Sequence, residues 1–568
     1  MADGSGRPTR LPETSLWANR KCLLMCGIVA VANMQYGLDS ACLASLQAMP
    51  GFLQVFGYED PKLRGGYGID ASALPNPPSH NHPPGPNTLV PKQQRTFQQL
   101  IGSLLTLGAF LSSIFAGAFA HFFGRKPALW LACLLTAVGA AIQIGTSDWG
   151  AVYVGRLVLG IGNGFLVTFS NIYCAEAAPA HLRAVLVALF SEWVTIGSIV
   201  GAAVTNATSK ILTKASYQIP LGIQFIVPAV LAVGLFVVPE SPRYLVNKGK
   251  LEEARRALEM LRGDSLTEEQ FELEWMEMVK GIEEEKKQAG SVGPLDMLRG
   301  MATRASLMLW TAGSNLRRTL LCFGVIATQT GSGSWFLISY TTYFLVVSGL
   351  TVDEAFKYSV MKSCLGFIGV NLGIYLMRHV VGRRTIMMIG SLTQGLCMLI
   401  IAITATTSPG TLVARNTLIA FTSLYMFCYN AFVGAASYPV ATELVSTRLR
   451  SWTVGSAISL GYFLAWLTGF CSPYFINPEN MNWGAKYGYI WAGSNFACGI
   501  FFFLCLPELK GRSLEEIDEL FDRRIGAWKF KTTKTNIMDK VLKEVRNRDG
   551  GFVASKEPVE LVESVRKQ

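Results

Sequence analysis

The motif HFFGRK at residues 121–126 decides the fold, because it returns in altered form as HVVGRR at residues 379–384. Each copy follows a long apolar run. Two further motif pairs occur in the same order: EAAPAHLR at 176–183 with ELVSTRLR at 443–450, and PESPR at 239–243 with PELKGR at 507–512. Three motif pairs in one order indicate two related halves with the same internal layout.

Long runs without Asp, Glu, Lys or Arg surround these motifs and set the class of protein. The chain of 568 residues is 50% hydrophobic and only 16% charged, whereas a soluble protein carries roughly 25% charged residues. A helix of about 20 apolar residues crosses a bilayer. The predicted spans, four of them containing or closely bounded by charges, are 22–46, 96–124, 127–147, 149–175, 184–206, 215–239, 319–352, 363–380, 385–414, 416–442, 451–478 and 487–507. We therefore expect an all-α membrane protein whose twelve transmembrane helices form two six-helix bundles.

Basic residues lie mainly in alternate loops, such as those with Arg125 and Lys126 or Arg383 and Arg384. Because cytoplasmic loops carry an excess of Lys and Arg, we expect these loops and both termini in the cytoplasm. The net charge of +11 is then a feature of the loops and needs no nucleic acid. The sequon at Asn206 falls on the predicted outer side and weakly indicates glycosylation.

The chain divides at its charged segments. The predicted units are a tail at 1–21, a bundle at 22–243 with an outer loop at 47–96, a cytoplasmic helical insert at 244–317, a second bundle at 318–507 and a tail at 508–568. In the insert, LEEARRALEMLRG places Leu251, Ala254, Leu258 and Leu261 on one face of an amphipathic helix.

The chain contains no recognisable catalytic or nucleotide-binding motif, since neither GxxxxGK[ST] nor GxSxG occurs. The 12 cysteines are scattered, mostly within apolar runs, and no Cys/His cluster has metal spacing. We expect no enzyme activity, no ATP-driven pumping, no cofactor and no metal site.

Several motifs together resemble the sugar porters of the major facilitator superfamily. They are GRLVLGIGNG at 155–164, YCAEAAPAHLR at 173–183, PESPRYL at 239–245, GRR at 382–384 and PELKGRSLEEIDELF at 507–521. The resemblance implies the major facilitator fold, in which a sugar binds between the halves and access alternates. A closer similarity, to the fungal branch that carries maltose and other α-glucosides, rests on QTGSGSWFLISYTTYF at 329–344, YPVATELVSTRLR at 438–450 and NWGAKYGYIWAG at 482–493.

Asp39 lies in the middle of span 1, where a carboxylate is costly. The resemblance implies that Asp39 is a proton site whose partner is Arg156 in span 4. Protonation of Asp39 would then release Arg156. The alternative is an acid that only packs helices and is satisfied by its neighbours.

The resemblance also implies sugar ligands between the halves. It places them at Gln329 and Thr330 in span 7 and at Tyr438 in span 10, while Ser191 stands where many hexose porters have a glutamine. Thr330 and Trp335 replace a glutamine and an asparagine of the family, which argues against a standard hexose pocket. Further candidates are Tyr340, Asn371 and Tyr462.

Glu192, an acid inside span 5, has three possible roles: binding sugar hydroxyls, serving as a second proton site, or bonding to a neighbouring helix. For the aromatic and small polar candidates in these spans, ordinary helix packing is the competing interpretation.

Charged residues at the span ends resemble the cytoplasmic gate of the family. They are Arg125, Lys126, Glu176, Arg183, Glu240, Arg243, Arg383, Arg384, Glu443 and Arg450. We expect ion pairs between the two halves that stabilise the outward-open state, because such pairs form only when the inner side closes.

The functional prediction is a monomeric plasma-membrane importer that couples a sugar, most simply an α-glucoside such as maltose, to a proton. The alternatives are a porter of a hexose, a polyol or a secondary metabolite, proton-coupled or passive, and a sugar sensor that does not transport. The expected partners are the sugar, the proton and the lipid bilayer.

Overall fold

The computed structural model describes residues 17, 19–56, 58–59, 67–68, 91–179, 183–211, 213–263, 265–289, 314–348, 350–445, 449–476, 481–510, 512 and 514–533. The helices are α1 (Arg20–Ala30), α2 (Ala32–Leu46), α3 (Pro50–Phe56), α4 (Pro91–Phe123), α5 (Arg125–Gly145), α6 (Trp149–Ala177), α7 (Arg183–Thr208), α8 (Ala215–Ile223), α9 (Ile226–Val237), α10 (Pro242–Asn247), α11 (Leu251–Arg262), α12 (Glu268–Ala289), α13 (Ser314–Gly331), α14 (Ser334–Val347), α15 (Val352–Tyr375), α16 (Arg383–Thr407), α17 (Leu412–Cys428), α18 (Ala435–Leu444), α19 (Arg450–Ile476), α20 (Gly488–Cys505) and α21 (Leu514–Asp522). Two short strands, β1 (Tyr58–Glu59) and β2 (Tyr67–Gly68), pair antiparallel.

The membrane-spanning architecture agrees with the sequence-based expectation. Ten helical segments of the described chain are long and apolar enough to cross a membrane. Two further helices, α7 and α15, occupy the places of predicted spans 5 and 8. The all-α fold class is therefore confirmed, with α1–α9 forming the N-terminal half and α13–α20 the C-terminal half.

Span 8 begins earlier than the charge-free runs indicated. Its helix α15 starts at Val352, eleven residues before the predicted start at 363. Thr351 forms a capping box there: its hydroxyl accepts a bond from the Glu354 amide, and the Glu354 carboxylate accepts one from the Thr351 amide at 3.0 Å. A search for runs without charge excluded this segment because it holds two acids and two lysines, so Lys362 was wrongly left outside the span.

Several spans are interrupted where side chains can replace the lost backbone bonds. Span 6 breaks between α8 and α9 at Gln224, and span 7 breaks between α13 and α14, where Gly333 has a left-handed φ of 85°. The carbonyl of Ser332 in the second break accepts bonds from the Tyr425 hydroxyl at 2.6 Å and the Asn495 amide at 2.7 Å. Irregular backbone survives inside a membrane only when it is satisfied in this way.

The two ends of the bundle differ. We call the end where α5 and α16 begin, at Arg125 and Arg383, the basic end; the other, where α15 begins, is the opposite end. One apolar cluster at the opposite end joins the halves, because Phe356 of α15 packs with Leu43, Leu46 and Phe52 of the N-terminal half.

The insert and the C-terminal segment each cover the basic end of one half. Arg262, at the end of α11, donates to the carbonyl of Ala177, the last residue of α6, at 2.9 Å and pairs with Glu274 of α12. In the C-terminal half, Arg318 of α13 pairs with Asp518 of α21. On the predicted apolar face of α11, Ala254, Leu258 and Leu261 are buried. Leu251 is exposed, because it lies in the first turn of α11, away from the end that contacts α6.

Helices α2 and α7 approach each other through glycines. A methyl group added at Gly37 would lie 1.8 Å from the carbonyl oxygen of Val194, and one at Gly197 would lie 2.1 Å from that of Met34. Small residues of this kind let two backbones pack closely inside a membrane.

We expect Gly37→Ala to lower the stability of the folded protein by about 1–3 kcal/mol, because the added methyl group has no space between α2 and α7. The matched control is Gly27→Ala on α1, where a methyl group meets no atom within 4 Å. The melting temperature of the detergent-solubilised protein measures the effect. Equal melting temperatures for both variants would contradict the tight α2–α7 contact.

Candidate functional site

Asp39 is fully buried in α2 and receives bonds from three side chains. Arg156 donates to its Oδ1 at 3.3 Å and Gln224 to the same oxygen at 2.8 Å, while Asn163 donates to Oδ2 at 3.4 Å. The Arg156 side chain is only 2% exposed, so the two charges neutralise each other away from water. Breaking such a buried pair costs several kcal/mol, because the remaining charge has no solvent around it.

The fold explains how distant residues meet at Asp39. Arg156 and Asn163 lie two turns apart on one face of α6, and Gln224 lies at the break in span 6 between α8 and α9. Asp39 and Arg156 were predicted from the sequence, whereas Asn163 and Gln224 were not. Their signal was available, because an amide inside an apolar span is rarely without a polar partner.

Aromatic residues meet between the halves, next to a bond of the C-terminal half: Gln329 of α13 donates to the hydroxyl of Ser437 in α18, the residue before Tyr438. The rings of Tyr36 in α2 and Trp335 in α14 meet edge to face with centroids 6.3 Å apart. Tyr438 makes a similar contact with Phe190 of α7 at 6.1 Å. Both aromatic contacts join one half to the other.

Tyrosines are frequent among these residues. Tyr36 and Tyr438 belong to the two aromatic contacts, and Tyr429 and Tyr462 are buried in the C-terminal half. The buried hydroxyl of Tyr36 has no hydrogen-bond partner among the residues that the structure describes. Rings with hydroxyl groups at their tips suit a ligand with apolar C–H faces and many hydroxyls. The sequence analysis missed Tyr36, although it precedes Asp39 by one helical turn.

Other predicted ligands make bonds within the protein. Thr330 donates to the carbonyl of Gly461 at 3.4 Å, and Tyr340 donates to that of Gly469 at 2.7 Å. Tyr340 is fully buried, and its hydroxyl is occupied by this bond to α19. The carbonyl of Ser191 accepts a bond from Thr195, one turn later on α7.

Glu192 and Asn371 bond to each other. The Asn371 amide donates to the Glu192 carboxylate at 3.2 Å and so joins α15 to α7 across the two halves. This is the contact expected from the helix-packing alternative for Glu192.

The charged residues at the basic end form two similar sets. Arg125 pairs with Glu176 at 2.7 Å in the N-terminal half, and Arg383 pairs with Glu443 at 3.2 Å in the C-terminal half. Each ion pair lies within its own half in this conformation, which is joined at the opposite end; the pairs between the halves that we expect when the basic end closes stay a prediction. Arg384 instead stacks on Trp528, 4.3 Å from the ring centroid.

Two acids bind backbone amides beside these pairs. Glu240 accepts bonds from the amides of Arg125 and Lys126 at the start of α5, and Glu508 accepts one from the amide of Arg383 at the start of α16. Burial raises the pKa of Glu240, although the bonds from backbone amides oppose this shift. Glu508 was missed, yet the PESPR and PELKGR repeat contained it.

Two predicted gate residues have side chains that the structure does not describe, and a third, Arg243, is described. The side chains of Arg183 and Arg450 are outside the described residues. Arg243 lies in α10, directly after the Glu240 turn.

The halves also touch at the opposite end. Ser45 of α2 lies 3.5 Å from the hydroxyl of Thr342 in α14, and Lys210 pairs with Asp353 at 3.7 Å. Among the described residues, the ion pairs at the basic end close within each half, while Lys210–Asp353 crosses between the halves at the other end. This conformation therefore holds its halves together at the opposite end.

The predicted glycosylation sequon lies inside a helix. Asn206 and Thr208 belong to the last turn of α7, and the Thr208 hydroxyl donates back to the carbonyl of Val204. Thr208 is 5% exposed. A buried helical turn is a poor acceptor for a bulky surface modification.

Comparisons with known proteins identify the family and the fold. A sequence model of the family described as "Sugar (and other) transporter" matches residues 25–521. The solved structure of the proton:xylose symporter XylE bound to 6-bromo-6-deoxy-D-glucose is similar with a TM-score of 0.67 and 17% identity, covering 88% of this chain and 99% of that one. At this identity the likeness to XylE shows the fold alone.

Relatives occur in yeast. The high glucose sensor RGT2 of Saccharomyces cerevisiae is 28% identical over 461 residues, which are 81% of this chain and 58% of the sensor. The present chain thus spans less than two thirds of the sensor. The hexose transporter HXT10 of the same yeast is 28% identical over 443 residues, which are 76% of this chain and 77% of that transporter.

We expect Glu443→Gln to lower stability by about 1–3 kcal/mol, because it removes a charged acceptor of two Arg383 bonds at 3.2 Å. The matched control is Glu259→Gln in the insert, whose pair with Arg255 is exposed and worth at most about 0.5 kcal/mol. Melting temperatures measure both. A loss no larger than that of the control would show that the half-buried pair adds nothing to the fold.

Proposed function

The chain belongs to the sugar (and other) transporter family, and we propose that it imports a sugar together with a proton by alternating access. Its two related halves are the units that move relative to each other. In the present conformation they are joined at the opposite end, and the Arg–Glu pairs of the basic end leave each half free to move as a unit. Rocking the halves about the aromatic group between them would open one end and then the other.

The observation that carries the proposal is the position of Tyr36 one turn before Asp39 on α2. Tyr36 belongs to the group of residues that suits a sugar, and Asp39 belongs to the buried ion pair. A ligand that moves Tyr36 therefore moves the helix that holds the carboxylate. Protonation of Asp39 removes its charge, and Arg156 must then find another acceptor, which favours a different arrangement of α2 and α6.

We propose a hexose as the sugar. The names of the yeast relatives refer to hexose and glucose. Trp335 stands where the family has an asparagine and contacts Tyr36 of the other half; it departs from the standard hexose pocket, but its larger side chain narrows the space between the halves, which favours one sugar ring over two. Gln329, Tyr438 and Tyr462 are the proposed ligands, with an aromatic face for the ring and polar groups for its hydroxyls.

An α-glucoside such as maltose is the second candidate substrate. It is supported by the segments 329–344 and NWGAKYGYIWAG at 482–493, which resemble the maltose branch. The yeast relatives described above give this candidate no support, so maltose serves as the direct competitor in the test.

The test is uptake of labelled D-glucose and labelled maltose in yeast cells that lack their own hexose and maltose carriers. We expect saturable glucose uptake that exceeds maltose uptake and falls when a protonophore removes the proton gradient. Faster maltose uptake would transfer the assignment to the α-glucoside branch. Glucose uptake that a protonophore leaves unchanged would indicate a passive porter, and sugar binding without uptake would indicate a sensor.

We expect Asp39→Asn to abolish accumulation of sugar against its gradient while exchange of sugar across the membrane stays measurable. The neutral amide keeps the shape of the side chain but cannot take up the coupling proton. The control is Asp148→Asn, which changes an exposed acid at the start of α6. Counterflow in vesicles verifies that the variant folds. Undiminished accumulation would place proton coupling at another residue.

A further inference from the structure

Gln35 is a fully buried glutamine of α2, one helical turn before Asp39 on the same face. Its amide nitrogen and amide oxygen both have no hydrogen-bond partner in the described part of the chain. Because side chains tilt toward the N-terminus of a helix, the Asp39 side chain leans over the turn that carries Gln35. Since α2 ends at Leu46 in the apolar cluster of the opposite end, Gln35 lies on the basic-end side of Asp39.

Further polar atoms without partners surround the carboxylate of Asp39. Asn163 and Gln224 each donate to it through the amide nitrogen, at 3.4 and 2.8 Å. The oxygen of each amide has no partner among the described residues, and neither has Nε of Arg156, the cation that pairs with Asp39. Each amide oxygen shares a carbon atom with the nitrogen that reaches Asp39. These oxygens therefore lie next to the carboxylate.

Water is the ligand that suits these atoms. Buried polar groups in folded proteins are almost always hydrogen-bonded, either to protein or to ordered water. A buried water molecule makes about three hydrogen bonds and can both donate and accept. Gln35 and Arg156 offer N–H donors here, and the amide oxygens offer acceptors. Since Asp39, Arg156 and Gln35 are each at most 1% exposed, the ligand has to be small.

Apolar side chains lie on the opposite-end side of the carboxylate. Leu43 follows Asp39 by one turn on α2, and Val152 precedes Arg156 by one turn on α6. Both are buried, together with Leu221, in the apolar cluster that joins the halves at the opposite end. These side chains close that side of Asp39 to water.

Polar side chains continue on the other side, toward the basic end. Ser170 follows Asn163 by two turns on the same face of α6, about 10 Å farther along the helix. Its hydroxyl donates to the side-chain oxygen of Asn33 at 3.0 Å, and both residues are buried. Tyr173, in the next turn, donates to the carbonyl of Pro239 at the basic end, at 3.0 Å. A line of polar groups thus leads from the carboxylate to the basic end.

We propose that Gln35 is a positioning residue for the coupling proton: with Asn163 and Gln224 it holds water through which Asp39 exchanges its proton with the basic end. This inference rests on the proposed proton coupling. The carboxylic acid of Asp39 gives its proton to the held water, and the water passes one of its own protons on along the polar line. The carboxylate that remains pairs again with Arg156. The amide of Gln35 does not ionise; it fixes the water within reach of the acid.

The experiment separates net proton movement from exchange of sugar. The full-length protein is reconstituted in vesicles, and uptake of labelled D-glucose driven by an imposed proton gradient is compared with counterflow of the same sugar. Counterflow needs only the loaded carrier, which keeps its proton. The variants are Gln35→Leu and Gln35→Asn. The matched control is Gln394→Leu on α16, because Gln394 is also fully buried, and its amide also has no partner among the described residues, but it lies in the other half.

We expect Gln35→Leu to lower gradient-driven uptake at least about tenfold with counterflow nearly unchanged, because positioned proton transfer contributes about a hundredfold or more to a rate. Gln35→Asn keeps an amide and should retain more driven uptake than Gln35→Leu. Replacing H2O by D2O should slow the driven uptake of Gln35→Leu more than that of the unchanged protein, since proton transfer then limits the rate. Gln394→Leu should alter neither driven uptake nor counterflow.

Three results would overturn the inference and leave the proposed function intact. The first is undiminished driven uptake in Gln35→Leu. The second is an equal loss of driven uptake and counterflow in that variant, which would give Gln35 a role in packing alone. The third is a loss in Gln394→Leu as large as that in Gln35→Leu. A proton gradient that drives no glucose uptake in the unchanged protein would overturn the proposed coupling itself, and this inference with it.

Discussion

The buried ion pair between Asp39 and Arg156 constrains the whole N-terminal half. Two opposite charges in a medium of low dielectric constant attract strongly, but they lose their hydration, so the pair persists only with further hydrogen bonds around it. Asn163 and Gln224 provide these bonds, and Gln224 reaches the carboxylate from the break in span 6. The packing of α2, α6 and the broken span thus follows from one electrostatic requirement.

In the C-terminal half a lysine, Lys362, is buried in the middle of a span, while the buried Arg317 and Arg318 lie at the start of α13. Lys362 bonds to neutral acceptors on α14, the helix that follows the glycine break in span 7. The two halves share one plan of helices yet differ in the charged groups inside their spans.

Much of this arrangement can be predicted from sequence, and the exceptions have physical causes. Runs without charge identify the spans because burying a charge in lipid is costly, and repeated motifs identify the two halves. The search for charge-free runs fails at α15. There Asp353 pairs with Lys357 and Lys362 bonds to α14, so the helix crosses the membrane although it contains charged residues. The polar side chain of Gln224 inside an apolar span indicates a polar partner, but the sequence does not tell that this partner is Asp39. The charged residues of the basic end can be assigned from the repeated motifs, whereas which Glu each Arg faces depends on the conformation, and in this one each pair lies within its own half.

The docking of Arg262 against α6 has a consequence for the making of the protein. The carbonyl of Ala177 at the end of α6 accepts the Arg262 bond, and Arg262 belongs to a segment that the ribosome produces only after the sixth span. In the C-terminal half, Arg318 likewise pairs with Asp518, which follows the twelfth span in the sequence. Each bundle is thus completed by a segment synthesised after it, so that completion of both halves proceeds in the order of translation. A nascent chain halted before such a segment would have an incomplete surface at the basic end of that bundle.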